Sequence, residues 1–203
     1  MTSSTRLEGA CITREQFLLR EMRTMARLRL EGVKNEEAIV RVTDENLFQY
    51  PTTRMVRNIA TVCDRRLEAL GNDVLVRVIA TGEPDAAAQA NLYAMMRSYP
   101  LVRDFMETVV AEHYLDLDYQ LGPTEMNGWV ARVQAEYDNM AALSDSTIQK
   151  IKQVLRNGLV QCGMLKSSRS TELQRIVLDP DVEDAIRDLG DAKALAAFGM
   201  GGA

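Results

Sequence analysis

SDSTIQKIKQVLRNGLVQCGML, residues Ser144 to Leu165, carries a clear helical signal, and the rest of the chain is interpreted outward from it. At about 100° of turn per residue, its apolar side chains fall on one stripe, which predicts an amphipathic helix packed on a core. Ser144 or Ser146 can cap the start of this helix, and Gly163 can end it. The stripe consists of Ile148, Ile151, Leu155, Leu159 and Cys162, and Val154 borders it.

The opposite face of this predicted helix is polar, and no carboxylate occurs between Ser146 and Lys166. Most solvated helix faces mix both charges, whereas a face of cations, amides and hydroxyls suits contact with phosphates and base edges. The alternative is an ordinary surface helix that is basic, because a basic stripe alone is only an electrostatic footprint. The face carries Ser146, Gln149, Lys150, Gln153, Arg156 and Asn157.

The composition indicates a helical protein with a substantial core. The chain has 203 residues, of which 46% are apolar, but only 11 are aromatic, so aliphatic side chains and methionines must fill the interior. Glycine and proline are sparse, and long alternating runs are rare. These features predict an all-α fold and argue against an all-β one.

The net charge of −5 is distributed unevenly along the chain. Residues 72–145 carry 12 acidic and 4 basic side chains, whereas residues 146–176 carry 6 basic side chains and 1 acidic one. Residues 1–71 are weakly basic, with 12 basic and 10 acidic side chains. Because local patches govern contact with phosphate, the overall acidity does not exclude nucleic acid as a partner.

A helix-turn-helix pattern lies near the amino terminus. A short helix from Asn35 to about Thr43 is followed by the connector DENLFQYP and by a longer helix that starts at Thr52 or Thr53 and is ended by Gly71. The exposed start of the longer helix carries Thr, Arg and Asn side chains, as a DNA-reading helix does. A plain helical hairpin, in which the two helices only pack together, is the alternative.

Residues 164–178 follow the basic helix and predict a short β-hairpin wing. Two apolar arms flank the polar tip SSRST, with Lys166 and Arg175 on the arms and Arg169 at the tip. Such a wing places its cations along a phosphate backbone, and a disordered surface loop is the alternative. The break at TGEP, residues 81–84, divides the chain into an N-terminal helix-turn-helix unit, 1–82, and a C-terminal unit, 83–203, with a winged-helix-like segment over 124–190.

Besides an alanine-rich helix over residues 85–98 and an acidic helix over residues 182–190, four further helices are expected from periodicity and caps. The first runs from Thr13 to Glu31 and begins with a capping box between Thr13 and Gln16. The others are predicted over residues 72–81, where a strand is the alternative, over residues 101–117, and over residues 124–140.

The sequence lacks the common signals of catalysis, cofactor binding and membrane insertion. It contains no GxxxxGK[ST], GxGxxG or GxSxG motif, and its one histidine, His113, lies on an apolar helix face. The three cysteines are far apart and indicate reduced core residues. We therefore expect no enzyme activity, no metal, no cofactor, no small-molecule substrate and no membrane contact, in a soluble cytoplasmic protein.

Three stretches, in this order along the chain, resemble the BrxA family of BREX (bacteriophage exclusion) phage-defence systems. They are DENLFQYPTTRMVRNIATVCDRRLEAL, YPLVRDFMETVVAEHY and LSDSTIQKIKQVLRNGLVQCGML. The resemblance implies an all-helical protein with two helix-turn-helix units that binds double-stranded DNA. It also implies a setting among other BREX proteins, including a methyltransferase that marks host DNA.

The resemblance also implies which residues contact DNA. In the first unit they are Thr52, Thr53, Arg54 and Arg57. In the second they are Ser146, Thr147, Gln149, Lys150, Gln153 and Arg156, to which the wing pattern adds Lys166 and Arg169.

The leading hypothesis is therefore a non-enzymatic double-stranded-DNA-binding protein of phage defence. A protein-interaction adaptor that docks basic partners on the acidic stretch 72–145 is a rival. A transcriptional regulator is a third reading, and it would require dimers on a symmetric operator.

Overall fold

The computed structural model describes residues 6–200, and this part of the chain is predominantly helical, with no β-strand. The predicted all-α class is therefore confirmed. The α-helices are α1 (Ile12–Glu15), α2 (Leu19–Leu30), α3 (Asn35–Asp44), α4 (Thr53–Leu70), α5 (Asp73–Thr81), α6 (Pro84–Ser98), α7 (Pro100–Phe105), α8 (Ala111–Leu115), α9 (Pro123–Glu136), α10 (Asp138–Ala141), α11 (Asp145–Gln161), α12 (Pro180–Asp188) and α13 (Ala192–Ala197), with a π-helical turn, Met106–Val110, between α7 and α8.

The alanine-rich helix α6 lies at the centre of the packing, and every residue from Ala86 to Met96 is buried. Small side chains let α2, α4, α5, α7, α11 and α12 approach it closely, which a helix buried on all sides requires. The buried residues on both sides of Gly82 belong to one hydrophobic cluster. The division into units 1–82 and 83–203 stays a prediction, and its two ends, residues 1–5 and 201–203, lie outside the described range.

The predicted single helix from Thr13 to Glu31 is wrong, because the chain breaks between α1 and α2. Gln16 and Leu18 have positive φ angles of 29° and 54°. Thr13 does not cap the helix, since its hydroxyl donates to the carbonyl of Ala10 at 3.1 Å. Tertiary hydrogen bonds replace the helical ones at this break, so local periodicity could not reveal it.

The break is held by Arg66, whose side chain is fully buried. Its guanidinium donates to the carbonyl oxygens of Glu15, Gln16 and Phe17 at 2.9, 2.6 and 3.1 Å, and to the hydroxyl oxygen of Tyr99 at 2.9 Å. Burial raises the pKa of Tyr99 to about 12, so its hydroxyl stays protonated and donates to the Glu15 carboxylate at 2.5 Å. The buried cation thus supplies the donors that the broken helix lacks.

Two other predicted helices are interrupted. The helix expected over residues 101–117 contains the π-helical turn Met106–Val110, where the wider turn coincides with burial of Phe105, Met106, Val109 and Val110. The helix expected over residues 124–140 ends at Glu136, because Tyr137 adopts an extended backbone and starts the separate short helix α10. Residues 72–81 do form a helix, α5, capped by Asn72, whose side chain accepts from Val74 and Leu75.

The β-hairpin wing predicted near residues 164–178 does not form as two paired strands. One main-chain hydrogen bond joins the arms, from Gln174 N to Met164 O at 2.9 Å. The second arm pairs instead with the segment before α9, through a bridge between Gln120 and Glu172 and a bond from Leu173 N to Tyr119 O at 2.8 Å. Serine hydroxyls satisfy local groups at the tip, which competes with a regular ladder.

Asp191, which caps helix α13, connects this helix to the core, and its side chain is 8% exposed. Arg103 donates to both of its carboxylate oxygens, at 3.0 and 2.6 Å, and Tyr93 donates a third bond at 3.2 Å. Burial acts to raise the pKa of Asp191, but the hydrogen bonds and charge of Arg103 outweigh it, so this pKa lies below its ordinary value.

The Asp191 contacts predict an acid-dependent loss of stability. A carboxyl group whose pKa is lowered by folding stabilises the fold above its ordinary pKa, and this contribution disappears as the pH falls through the lowered value. We expect Asp191→Asn to be about 1–2 kcal/mol less stable at pH 7. Urea unfolding from pH 7 down to pH 2 should show the two proteins converging in acid, and a difference that persists unchanged at pH 2 would contradict this origin.

Candidate nucleic-acid interface

Helix α11 has the structure that its pattern predicts. The hydroxyl of Ser144 accepts from the backbone of Thr147, Asp145 lies in the first turn, and Gly163 has a positive φ of 72° just after the end. All members of the predicted apolar stripe are buried. At Gly158 the helix packs closely on Phe17 and on Leu92 of α6. The core therefore fixes the orientation of α11, and its polar face points outward.

A groove lies between α11, the start of α9 and the loop 166–171, and we name it the α11 groove. It has a volume of about 490 Å³. None of the described residues that line it is acidic, and its polar lining consists of cations, amides and hydroxyls. The lining side chains are Pro123, Met126, Asn127, Gln149, Lys152, Gln153, Arg156, Ser168, Arg169 and Thr171.

One wall of the α11 groove depends on Arg156. Its guanidinium donates to the carbonyl oxygens of Ser168 at 3.0 Å, of Leu121 at 3.2 Å and of Ser170. Burial lowers the pKa of Arg156. The sequence predicts Arg156 as a DNA contact. In the structure, its planar guanidinium holds the loop 166–171 against the start of α9.

The other residues predicted around α11 are mostly exposed. Ser146 and Thr147 have hydroxyl contacts of 3.0 Å with Ser144 at the cap, and Thr147 is half-buried. Lys150 donates to the side chain of Gln153 at 3.3 Å. The side chains of Gln149, Gln153 and Arg169 line the groove. Lys166 is exposed on the loop 166–171, which also carries Arg169.

The residues predicted in the first unit lie at the start of α4, outside the α11 groove. Thr52 is the cap, and its hydroxyl accepts from the backbone of Met55 at 3.2 Å. Thr53 and Arg54 are exposed, with no side-chain partner within residues 6–200. Arg57 is paired with Glu36 of α3 at 3.0 Å, but both side chains are more than half exposed, so the pair is weak.

Lys152 and Asn127 are groove residues that the sequence analysis missed. Lys152 donates to the side-chain oxygen of Asn127 on α9 at 2.9 Å, which joins the two helices across the groove floor. A helical wheel of α11 places Lys152 at the edge of the polar face, about 40° from Arg156. This position could have identified Lys152 as a groove residue. For Asn127, no signal existed before the packing of α9 on α11 was known.

An acidic cavity lies on a different side of α9. It has a volume of about 300 Å³, and its four carboxylates come from Glu112, Asp116, Asp118 and Glu125. His113, which also lines it, hydrogen-bonds through Nδ1 with the carbonyl oxygen of Asp118 at 2.8 Å. The cavity, in which Arg132 is the one cation among the described lining residues, and the α11 groove thus lie on different sides of α9.

The chain matches the family model described as BrxA over residues 9–190. It is 31% identical over 176 residues to "BREX protein BrxA" of Bacillus cereus (strain H3081.97), with 86% of this chain and 88% of that protein covered. It is 25% identical over 174 residues to the "BREX protein BrxA" of Escherichia coli O9:H4 (strain HS), covering 86% and 81%.

A solved structure shares the fold. It is described as an uncharacterized protein from Magnetospirillum magneticum, with a TM-score of 0.79 and 21% identity, covering 94% of this chain and 97% of the other. Among residues 6–200, no helix has the length and apolar character that crossing a membrane requires.

Proposed function

This chain belongs to the BrxA family, and from that premise we propose that it is a non-enzymatic double-stranded-DNA-binding protein of a BREX phage-defence system. The phosphate backbone would lie along the α11 groove, with the exposed amides of α11 facing a base edge. Two helix-turn-helix units would both contact the DNA. One is built on α3 and α4, and the other on α9, α10 and α11.

The observation that carries this proposal is the acid-free lining of the α11 groove. In a chain with 29 acidic and 24 basic side chains, a groove of this size without a carboxylate is a surface that a polyanion can enter without repulsion. Lys152 and Arg169 supply charge from opposite walls, and Gln149 and Gln153 supply amides of the kind that bind adenine edges.

The order of elements in the C-terminal half supports a winged variant of the motif. The helical run from Pro100 to Leu115 precedes the short paired segment 119–121, which is followed by α9, α11 and the loop 166–171. The return segment 171–173 pairs with 119–121 rather than with the first arm of the loop. This small paired region, together with Arg156, would hold Arg169 beside the phosphate backbone.

The salt dependence of DNA binding tests the proposal. We expect the wild-type protein to bind a mixed-sequence duplex, with log Kd rising linearly with log salt concentration. Lys152→Ala and Arg169→Ala should each lower the slope by about one unit and weaken binding about fivefold to tenfold at 0.1 M salt. Fluorescence anisotropy with a labelled duplex measures both quantities.

Matched controls separate this site from general charge effects. Lys193→Ala at α13 and Arg77→Ala on α5 remove the same charges from exposed positions outside the groove. They should bind as the wild type does. Absence of binding by the wild-type protein at low salt, or equal losses in the groove and control variants, would refute DNA binding through the α11 groove.

A protein-interaction adaptor is the second candidate, and the acidic cavity beside α9 favours it. Its four carboxylates outnumber its one arginine, Arg132, which is itself paired with Asp104 and Glu136, so the cavity suits a basic partner among the other proteins of the defence system. Capture of such a partner that survives nuclease treatment, and that is lost on Asp116→Asn together with Asp118→Asn, would support this function.

A further inference from the structure

The α11 groove does not end at α11. A second cavity, of about 270 Å³, shares Gln153 and Ser168 with the groove and continues over Lys150 and Asn157 to Gln16. A third, of about 550 Å³, shares Gln16 and Asn157 with the second and continues over the start of α2 to Arg23. The three cavities therefore form one trough across the polar face of α11.

This trough is cationic along its whole length. Lys152, Arg169 and Lys150 line its first two parts, and Arg20 and Arg23 line the third. Glu21 is the one carboxylate among the described residues that line the trough. It is 7% exposed, accepts from the Tyr50 hydroxyl at 3.0 Å, and lies 3.5 Å from the guanidinium of Arg20. The Glu21 carboxylate is therefore largely buried, and the neighbouring Arg20 compensates its charge.

Side chains in the third part retain capacity for a ligand. The side chain of Arg20 is 63% exposed, although one of its nitrogens donates to the carbonyl of Phe48. Arg23 donates to the carbonyl of Gly82 at 2.8 Å and its Nε is buried, so Arg23 adds positive charge to this part and Arg20 and Gln16 supply the contacts. Gln16, at the break between α1 and α2, is exposed where the second and third cavities meet.

The far end of the trough leads toward the first helix-turn-helix unit. The connector before α4 lies against it, through the contacts of Phe48 with Arg20 and of Tyr50 with Glu21. Thr52, the cap of α4, follows Tyr50 by two residues. The Gln16–Arg23 segment thus lies between the two predicted DNA-reading helices.

We infer that the Gln16–Arg23 segment is a third contact for the DNA backbone, which joins the two helix-turn-helix units into one continuous track for a single duplex. Arg20 contacts a phosphate, and the amide of Gln16 contacts the neighbouring phosphate or sugar. This inference rests on the proposed function, because it identifies the DNA backbone as the occupant of the whole trough.

Two substitutions at exposed side chains test this track. Arg20→Gln removes one exposed cation, and we expect the slope of log Kd against log salt to fall by about one unit, with binding about fivefold to tenfold weaker at 0.1 M salt. Gln16→Glu places a carboxylate where the second and third cavities meet, and it should weaken binding at least as much. Arg77→Gln is the matched control, since it removes the same charge from the exposed face of α5.

The length of the duplex gives an independent measurement. The affinity of the wild type for a series of labelled duplexes should keep rising to a greater length than that of Arg20→Gln, because the variant uses a shorter track. Thermal melting of each variant verifies that it is folded.

The outcomes are distinct. If the wild type binds and responds to Lys152→Ala, while Arg20→Gln and Gln16→Glu bind as Arg77→Gln does, the α11 groove stands and the extended track is wrong. If the wild type binds no duplex at low salt, the proposed function and the extension fall together.

Discussion

Arg66→Met is expected to lower the free energy of unfolding by at least about 3 kcal/mol. Methionine keeps most of the apolar volume but removes the donors for the carbonyl oxygens of Glu15, Gln16 and Phe17. Each buried carbonyl left without a donor costs about 1–3 kcal/mol. Asn91, which donates to the Phe17 carbonyl at 2.7 Å, retains one of these bonds. Urea unfolding followed by circular dichroism measures the loss as a lower midpoint.

The control for Arg66→Met is Arg14→Met, which removes an exposed arginine from α1. It should change stability by less than about 0.5 kcal/mol, as surface substitutions usually do. Loss of Arg66 should also loosen the support of α11, because Phe17 packs on Gly158. An Arg66→Met protein as stable as Arg14→Met would show that the break between α1 and α2 does not need the buried cation.

Arg156→Ala is expected to lower stability by about 2–3 kcal/mol and to weaken DNA binding. Three carbonyl oxygens lose their donor, and the loop 166–171 loses its attachment to the start of α9. Hydrogen exchange at the amide of Ser170, which donates to the Ser167 carbonyl at 3.1 Å, should become faster. The slope of the salt dependence should fall by about one unit, because Arg169 is no longer held in place.

Arg156→Lys distinguishes a structural clamp from a phosphate contact. A lysine keeps the charge but cannot direct several donors in one plane to three carbonyls, so it should behave almost as alanine does. Arg77→Ala, which removes an exposed arginine of α5 outside the groove, is the matched control. If Arg156→Ala alters the salt slope without any change in stability or exchange, Arg156 is a direct contact as the sequence analysis predicted.

The fold class and α11 could be predicted because their signals are local. The apolar stripe, the Ser144 cap and Gly163 each act within one or two turns, and the structure confirms all three. The same holds for α5, whose cap residue Asn72 was part of the predicted helix boundary. Such features depend on the neighbouring sequence, and in α11 and α5 the tertiary packing agrees with them.

The break between α1 and α2 could not be predicted, because its cause lies about fifty residues away. Residues 13–31 have a regular helical period, yet Arg66 of α4 takes the carbonyls that a continuous helix would use. From sequence alone, an arginine on a helix is predicted to be exposed. The full burial of Arg66 depends on the assembled core.

Within the candidate site, the residue types could be predicted but their roles could not. Arg156 and Arg169 are both arginines of the basic segment, yet one holds backbone carbonyls and the other lines the groove. The predicted hairpin failed for a related reason, since the second arm found its partner in residues 119–121. In both cases, hydrogen-bond partners outside the local sequence determined the structure that formed.

The placement of the acidic cavity and the α11 groove on different sides of α9 has a consequence for assembly. A duplex seated along the trough would leave the four carboxylates beside His113 uncovered. A basic protein could then dock there while DNA stays bound, so that the chain would act as a tether in a ternary complex. The two contributions to binding would be additive instead of competitive, and the nucleic acid would not need to be released for recruitment to occur.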